Sequence, residues 1–410
     1  MTAYPGALLA QTLTSTGQLI DPLWHRALLS VNRAEFIPDT VWVTARDHPG
    51  YFRPVTREDP DHARWAHQDY ALAVQVDDGT PVGGPNGEPG WGRLRTSSIS
   101  QPSLVVDMLQ ALDAQEGHRV LEIGTGTGYN AALLCQVLGE GSVVSVEVDE
   151  ALAETAVKNL AQAGYHPTVV TADATGATEG VGEGLFDRVL STVAARGEVP
   201  LPWVEQTHQY GIIVTPFEVG NTPGVLLKLR VHGDGTASGH FIGDAPFMTL
   251  RSQRPDTRRV RELVDEDAPG VTDGLIGLNP RVVAHRHQGW QLVLGHLVPD
   301  LRYAVYEASE HHPEWTGEAT VYVATPDGSW ALGEYTPADG MYETRQVGPR
   351  ALWAEITAAW DEWVTHGSPG RDLLGVTVDE EGTHLWAGNP VAELGSVRRG
   401  RRRRRLFGSS

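Results

Sequence analysis

Residues 120–130, Val120-Leu121-Glu122-Ile123-Gly124-Thr125-Gly126-Thr127-Gly128-Tyr129-Asn130, hold the pattern best suited to chemistry in this chain. The apolar residues read as the end of a strand, the three alternate glycines as a tight turn, and Tyr129-Asn130 as the start of a helix. Glycine lets the backbone turn sharply and approach a ligand closely. A helix start offers N–H groups without intrahelical partners. Glu147 falls at the end of the next apolar run, where an acid can accept hydrogen bonds from both hydroxyls of a ribose.

A dinucleotide site uses the same physics. Three details point instead to S-adenosylmethionine. Position 129 is Tyr, so the third glycine of G-x-G-x-x-G is missing. Glu122 precedes the loop, where a carboxylate can face the cofactor's ammonium group. Asp173, just past the third strand, is placed to meet the adenine amino group. The expected cofactor residues are Glu122, Gly124, Thr125, Gly126, Thr127, Gly128, Asn130, Glu147 and Asp173. The alternative is a glycine-rich turn with no ligand.

The elements that must position these residues alternate. Strands are expected at 119–123, 142–148, 168–171, 187–192, 211–215 and 224–231, with helices over 130–138 and 150–163. This spacing predicts an α/β Rossmann-like domain, a largely parallel sheet with helices on both faces. The expected division is an N-terminal helical recognition or lid segment (1–95), the cofactor domain (96–250), a C-terminal α+β extension (251–396) and an Arg-rich tail (397–410). In the first segment Asp21 can cap a helix that Pro22 starts, and residues 79–92 read as a loop. In the extension, runs 320–325 and 330–335 flank a turn at 326–329. A helix from Pro349 carries Trp353, Ile356, Trp360 and Trp363 on one face, more in keeping with core than with a ligand platform. Residues 377–378 and 384–386 flank another turn.

Composition narrows the function. The chain has 410 residues, 40% apolar and 20% charged, with a formal net charge of -20. An acidic balance argues against nucleic acid as substrate. Arg398, Arg399 and Arg401 to Arg405 are the exception; they read as a self-repelling disordered end, or else as an arm for an acidic peptide or RNA. No apolar run is long enough for a membrane span. The start does not read as a secretory signal, and the single cysteine, Cys135, fits a reducing cytoplasm. His62 and His67, His285 and His287, and His311-His312 lack the spacing of a zinc site, so no metal is expected. Cys135, inside the helix after the loop, is expected to be buried and inert.

Four stretches together resemble the protein L-isoaspartyl O-methyltransferase family: Val31 to Pro38, Ser98-Ile99-Ser100-Gln101-Pro102, Leu121 to Asn130, and Phe186-Asp187-Arg188-Val189. They stand in that family's order and spacing, over about residues 15 to 230. The resemblance implies a doubly wound sheet, S-adenosylmethionine and methylation of a peptide carboxylate. It also implies that Ser100 matches the serine lying between cofactor and substrate. The chain departs from the repair enzymes in Ser100-Gln101-Pro102-Ser103-Leu104, where they usually show Ser-Ala-Pro-His-Met, and in Ala172-Asp173-Ala174 for Gly-Asp-Gly. With its extension and Gly128-Tyr129-Asn130-Ala131-Ala132-Leu133-Leu134-Cys135-Gln136, it is more similar to an extended branch found beside peptide natural-product pathways (graspetides, lasso peptides, lanthipeptides). That branch implies methylation of an aspartate side chain in a ribosomally made, modified precursor peptide, the ester then closing to an aspartimide.

Methyl transfer to a carboxylate needs no general base, because an aspartate with a pKa near 3.9 is already anionic at neutral pH. Alignment and partial desolvation are what remain for the protein to provide. Ser100 is expected either to donate a hydrogen bond to one carboxylate oxygen or merely to cap the helix that starts at Pro102. Competing functions are isoaspartyl repair, a non-catalytic peptide-binding partner, and an RNA methyltransferase using the arginine tail. The first and third zones are expected to form the peptide groove, so that deletion from about residue 255 removes activity but spares cofactor binding.

Overall fold

The computed structural model describes residues 6–176, 180, 184–220, 222–308, 317–337, 340–390 and 394. The arginine tail and His311-His312 lie outside them. The first zone opens with α1 (Ala7–Ser15) and α2 (Pro22–Ser30). Asp21 accepts a hydrogen bond from the Leu23 N–H and Pro22 sits in the first turn, as expected. The zone is not only helical, however. Strands β1 (Thr40–Thr44) and β2 (Phe52–Thr56) form a hairpin, α3 (Pro60–Trp65) comes next, and β3 (Leu72–Val76) and β4 (Arg95–Ile99) complete an antiparallel sheet. Its order is β2-β1-β3-β4. β3 is buried throughout and β1 does not alternate cleanly, so period-two patterning gives no signal for them. α4 (Pro102–Leu112) leads into the next zone.

That zone runs β5 (Val120–Ile123), α5 (Tyr129–Leu138), β6 (Val143–Glu147), α6 (Glu150–Gln162), β7 (Thr168–Thr171) and β8 (Phe186–Ser191). Then come β9 (Ala195–Arg196), α7 (Leu201–Glu205), β10 (Thr207–Glu218), β11 (Val225–Val231) and β12 (Ala237–Asp244). Strands β7, β6, β5, β8 and β10 are parallel neighbours in that order. The chain steps outward from β5 to β7 and then returns to β8 on the other side of β5. Ligands of such sheets bind at this reversal, beyond the carboxyl ends of β5 and β8. β11 and β12 continue the sheet antiparallel, so it is mixed rather than largely parallel.

The third zone contains α8 (Val260–Leu263), β13 (Thr272–Ile276), α9 (Gln288–Leu297) and β14 (Arg302–Glu307). β15 (Ala319–Ala324), β16 (Trp330–Tyr335), β17 (Tyr342–Val347) and α10 (Leu352–Thr365) come after them. The expected hairpin is β15–β16, its turn closed by Thr325, Asp327 and Ser329. α10 starts at Leu352 rather than at Pro349, because Ala351 is non-helical (φ -90°, ψ 77°) and Arg350 is held outside the helix by Glu355. Trp353, Ile356 and Trp363 are buried. Trp290 of α9 packs on Trp360 and Trp363 at ring distances of 5.0 and 5.7 Å, so the tryptophan stripe is core.

The expected boundary at 250/251 is not a break in the sheet. β18 (Leu374–Asp379) pairs antiparallel with β12, and β19 (Gly382–Ala387) pairs with β18. The extension thus supplies the outer edge of a ten-stranded sheet ordered β19-β18-β12-β11-β10-β8-β5-β6-β7, with β9 beside β10. One apolar core joins Leu121, Val146 and Phe217 to Trp290, Val321, Trp353 and Leu385. Deletion from residue 255 would strip this edge and open that core, so it cannot separate substrate binding from cofactor binding.

Candidate active site

The glycine loop hangs from two neighbouring strands. The Gly124 N–H donates to the Val146 carbonyl at 2.8 Å, and the Gly128 N–H closes the turn on the Thr125 carbonyl at 2.9 Å. Gly124, Gly126 and Gly128 have φ of 90°, 56° and 95°, backbone that residues with a Cβ rarely adopt. The Asn159 side chain of α6 donates to the Thr127 carbonyl at 3.0 Å. The expected turn between β5 and α5 is therefore present and pinned from both sides.

Beneath the loop lies a fully buried polar chain. Glu122 is 0% exposed. One of its oxygens accepts from Asn130 Nδ2 at 2.6 Å and the other from Ser145 Oγ at 2.5 Å. Ser145 Oγ also lies 2.6 Å from Thr125 Oγ1. Burial raises the Glu122 carboxyl to about 7, against the pull of the Ser145 and Asn130 hydrogen bonds, and the charge of Glu147 adds to the rise. The carboxylate expected to face the cofactor's ammonium group has both oxygens engaged by protein. Through these bonds it holds Asn130 directly, and Thr125 by way of Ser145.

Glu147, at the end of β6, accepts from the Gly126 N–H at 2.8 Å on one oxygen and from the Asp149 N–H at 3.1 Å on the other. Each oxygen keeps a lone pair, enough for two ribose hydroxyls. Burial raises this carboxyl, and the backbone donors of Gly126 and Asp149 oppose it. Asp173, past β7, accepts from the Thr175 N–H and hydroxyl and from Ser252 Oγ. Burial works to raise its carboxyl, but these hydrogen bonds outweigh it and hold the group below its usual value. Thr127 Oγ1 and Asn130 Oδ1 are buried without a partner among the described residues, as a loop shaped to accept a polar ligand leaves them. Glycine amides, an acid on β6 and an acid past β7 fit the amino acid, ribose and adenine parts of S-adenosylmethionine.

Ser100 comes directly after β4, which runs over the loop. A methyl group built on Gly126 would lie 3.7 Å from both Ser97 Oγ and the Ser98 carbonyl. The Ser100 hydroxyl makes no hydrogen bond among the described residues. It is not the helix cap. Asp69 fills that role instead, its carboxylate accepting from the Ser103 N–H at 2.8 Å and from Gln101 Nε2 at 2.9 Å.

Two residues with no role read from the sequence organise this corner. Asp69 is one. Arg33 is the other, 3% exposed, with its guanidinium donating to the carbonyls of Trp65, Gln68, Tyr70 and Ser100. It also lies 6.0 Å from the centre of the Tyr129 ring at the start of α5. Arg33 sits inside the Val31 to Pro38 stretch, and that motif is the available signal. Arg33→Ala is expected to lower unfolding free energy by about 2 kcal/mol, since it removes a buried side chain and leaves several part-buried carbonyls without a donor. Chemical denaturation reads this directly, and an unchanged midpoint would refute it.

The remaining candidates are structural. Cys135 is buried and its thiol is pushed up to about 12 by that burial. His62 Nε2 meets the Pro38 carbonyl at 2.9 Å. His285 and His287 pack on Trp360 and Trp363. Among the described residues, no three His, Cys, Asp or Glu side chains gather as a metal site requires, and no helix is long and apolar enough to cross a membrane.

A parallel sheet reversing at β5 and β8, with a glycine loop after β5 and acids at the end of β6 and past β7, suits an adenosine-containing cofactor, and the chain's relatives make the class that of S-adenosylmethionine-dependent methyltransferases. Residues 60–254 match the family model for protein-L-isoaspartate(D-aspartate) O-methyltransferase. The chain belongs to this family. It is 32% identical to protein-L-isoaspartate O-methyltransferase 2 of Archaeoglobus fulgidus over 199 residues, which is 48% of this chain and 83% of that one. It is 41% identical to protein-L-isoaspartate O-methyltransferase 2 of Rhodopseudomonas palustris over 139 residues, 34% of this chain and 62% of that one. A Methanosarcina mazei relative is likewise matched over 62% of its length, at 36% identity. A solved structure titled protein-L-isoaspartate O-methyltransferase superposes over 93% of this chain and 99% of its own, with a TM-score of 0.52 and 22% identity. That superposition extends the shared fold into the C-terminal zone.

Proposed function

We propose that this protein transfers a methyl group from S-adenosylmethionine to the side-chain carboxylate of an aspartate in a ribosomally made, modified precursor peptide. The observation that carries the reading is the free Ser100 hydroxyl, at the end of a strand lying over the glycine loop. S-adenosylmethionine supplies a methyl group on a positively charged sulfur. The protein's part is to hold and orient. Glu147 and the loop amides fix one reactant, and Ser100 donates to one oxygen of the carboxylate, leaving the other free to attack in line. The acceptor is anionic at neutral pH, so no side chain has to remove a proton. After the ester forms, the backbone nitrogen of the next residue attacks its carbonyl. Methanol leaves with the displaced proton, and a five-membered imide closes.

A peptide substrate larger than a single damaged residue accords with the four-stranded sheet that ends in β4 and with the extension that completes the main sheet. Isoaspartyl repair is the second reading, favoured by the family itself. A purely binding role is disfavoured by the intact loop and its two acids. Mass spectrometry separates them, with the enzyme and S-adenosylmethionine incubated with an isoaspartyl test peptide and with aspartate-containing modified precursors. A methyl gain followed by methanol loss on a precursor alone is the expected result. Efficient methylation of the isoaspartyl peptide with inert precursors would establish repair. Ser100→Ala should lower kcat/KM about tenfold while leaving cofactor affinity unchanged, the loss of one hydrogen bond to a charged group.

A further inference from the structure

The first zone holds a cleft of about 630 Å³ between the β1–β2 hairpin and α3 with the segment after it. Its walls include Arg46, Arg53, Trp91 and Tyr70. Arg46 and Arg53 are exposed and make no ion pair or side-chain hydrogen bond among the described residues. Elsewhere the arginines are largely engaged: Arg196, Arg251, Arg254, Arg281, Arg350 and Arg371 all face carboxylates. Asp47 and Asp61 are the acids of the cleft, and Asp61 already faces Arg64 at 3.4 Å. Two unengaged arginines thus share one cleft in a chain of net charge -20.

The cleft adjoins the candidate active site. Trp65, Gln68 and Tyr70 line it, and Arg33 grips the carbonyls of those three residues together with that of Ser100. Trp91 is braced by His48 and Tyr51 at ring distances of 5.9 and 6.5 Å. Tyr70 is 49% exposed. Arg46 and Arg53 lie before residue 60, so the charged wall falls outside the stretch matched by the family model.

We propose that this cleft binds an acidic segment of the peptide that flanks the methyl-accepting residue. Arg46 and Arg53 pair with its carboxylates, and Trp91 and Tyr70 pack against its extended backbone. The inference rests on the peptide-methylation reading only in placing the flanking residue near Ser100. Basic and apolar segments lack the complementary charge, so the cleft selects on sequence context as well as on the acceptor.

The test uses the full chain and a fluorescein-labelled peptide of Glu, Gly and Ser, beside a counterpart with Lys in place of Glu, monitored by fluorescence anisotropy. The acidic peptide should bind, more weakly as salt rises. The double variant Arg46→Ser/Arg53→Ser should bind it about tenfold more weakly, as expected for two exposed ion pairs, with S-adenosylmethionine affinity unchanged. Arg46→Lys/Arg53→Lys should recover most of the binding. Equal affinity for the two peptides, equal affinity of the wild type and the Ser variant, or no binding would overturn the proposal. Methyl transfer is scored separately. Arginine-dependent binding without methylation of any aspartyl peptide sinks the catalytic reading and leaves the cleft standing; methylation indifferent to acidic flanks and to the arginines does the reverse.

Discussion

Glu122→Ala should destabilise the protein by about 2–4 kcal/mol, because two buried neutral donors lose their acceptor. Asn130 and Ser145 would lose the acceptor they share, inside a region already fully buried. Glutamine should behave differently. It keeps the shape: its carbonyl oxygen can accept from Asn130 Nδ2, and its amide can donate to Ser145 Oγ. It also abolishes a titration. The Glu122 carboxyl stands at about 7 in the fold, against an ordinary value of 4.5. Between those pH values the unfolded chain releases this proton and the folded one retains it. The stabilisation is therefore complete below pH 4.5 and lost as pH rises through about 7. Relative to wild type, Glu122→Gln should gain about 3 kcal/mol across that window and nothing further above it. Denaturant melts at several pH values measure this, and parallel curves for the two proteins would sink the assignment.

The glycines of the loop should fail in two distinct ways. A Cβ on Gly128 would stand 2.9 Å from Leu160 Cγ and 3.4 Å from the Ala156 carbonyl, at φ 95°. Gly128→Ala should therefore lose about 2–4 kcal/mol of stability, from left-handed backbone strain and overpacking against α6. A Cβ on Gly126 meets nothing nearer than 3.7 Å, at φ 56°. Gly126→Ala should lose only about 1 kcal/mol, yet weaken S-adenosylmethionine at least about tenfold, because the methyl enters the space the ligand needs. Calorimetric titration beside thermal melts separates the two. Normal cofactor affinity in Gly126→Ala would mean that the ligand lies elsewhere.

The features legible in the sequence are local. The glycine loop, the Asp21 cap, the β15–β16 turn and the tryptophan face of α10 each depend on residues a few positions apart. The antiparallel sheet of the first zone could not be read, because β3 is buried along its length and shows no alternation. Residues 377–378 and 384–386 were recognisable as the flanks of a turn, but their partner β12 is remote in sequence. Ser100 could be placed by its motif, yet not freed of the capping role. That required seeing Asp69, more than thirty positions away, reach Ser103. Glu122 was found by position, and its burial beneath the loop depends on Ser145 on the neighbouring strand, which spacing alone does not relate to it.

The placing of β18 and β19 also bears on how the chain is made. β12 is finished at Asp244, and its outer edge is met by Leu374 to Asp379, roughly 130 residues later, a contact of high sequence separation. During synthesis the nascent catalytic half must wait with that edge bare while the whole intervening module is translated. A ribosome that stalls or terminates early leaves an unpaired strand of the kind that recruits other chains. Quality control therefore reaches as far as the codons for β18 and β19, where a nonsense mutation would yield an aggregating protein rather than a shorter enzyme.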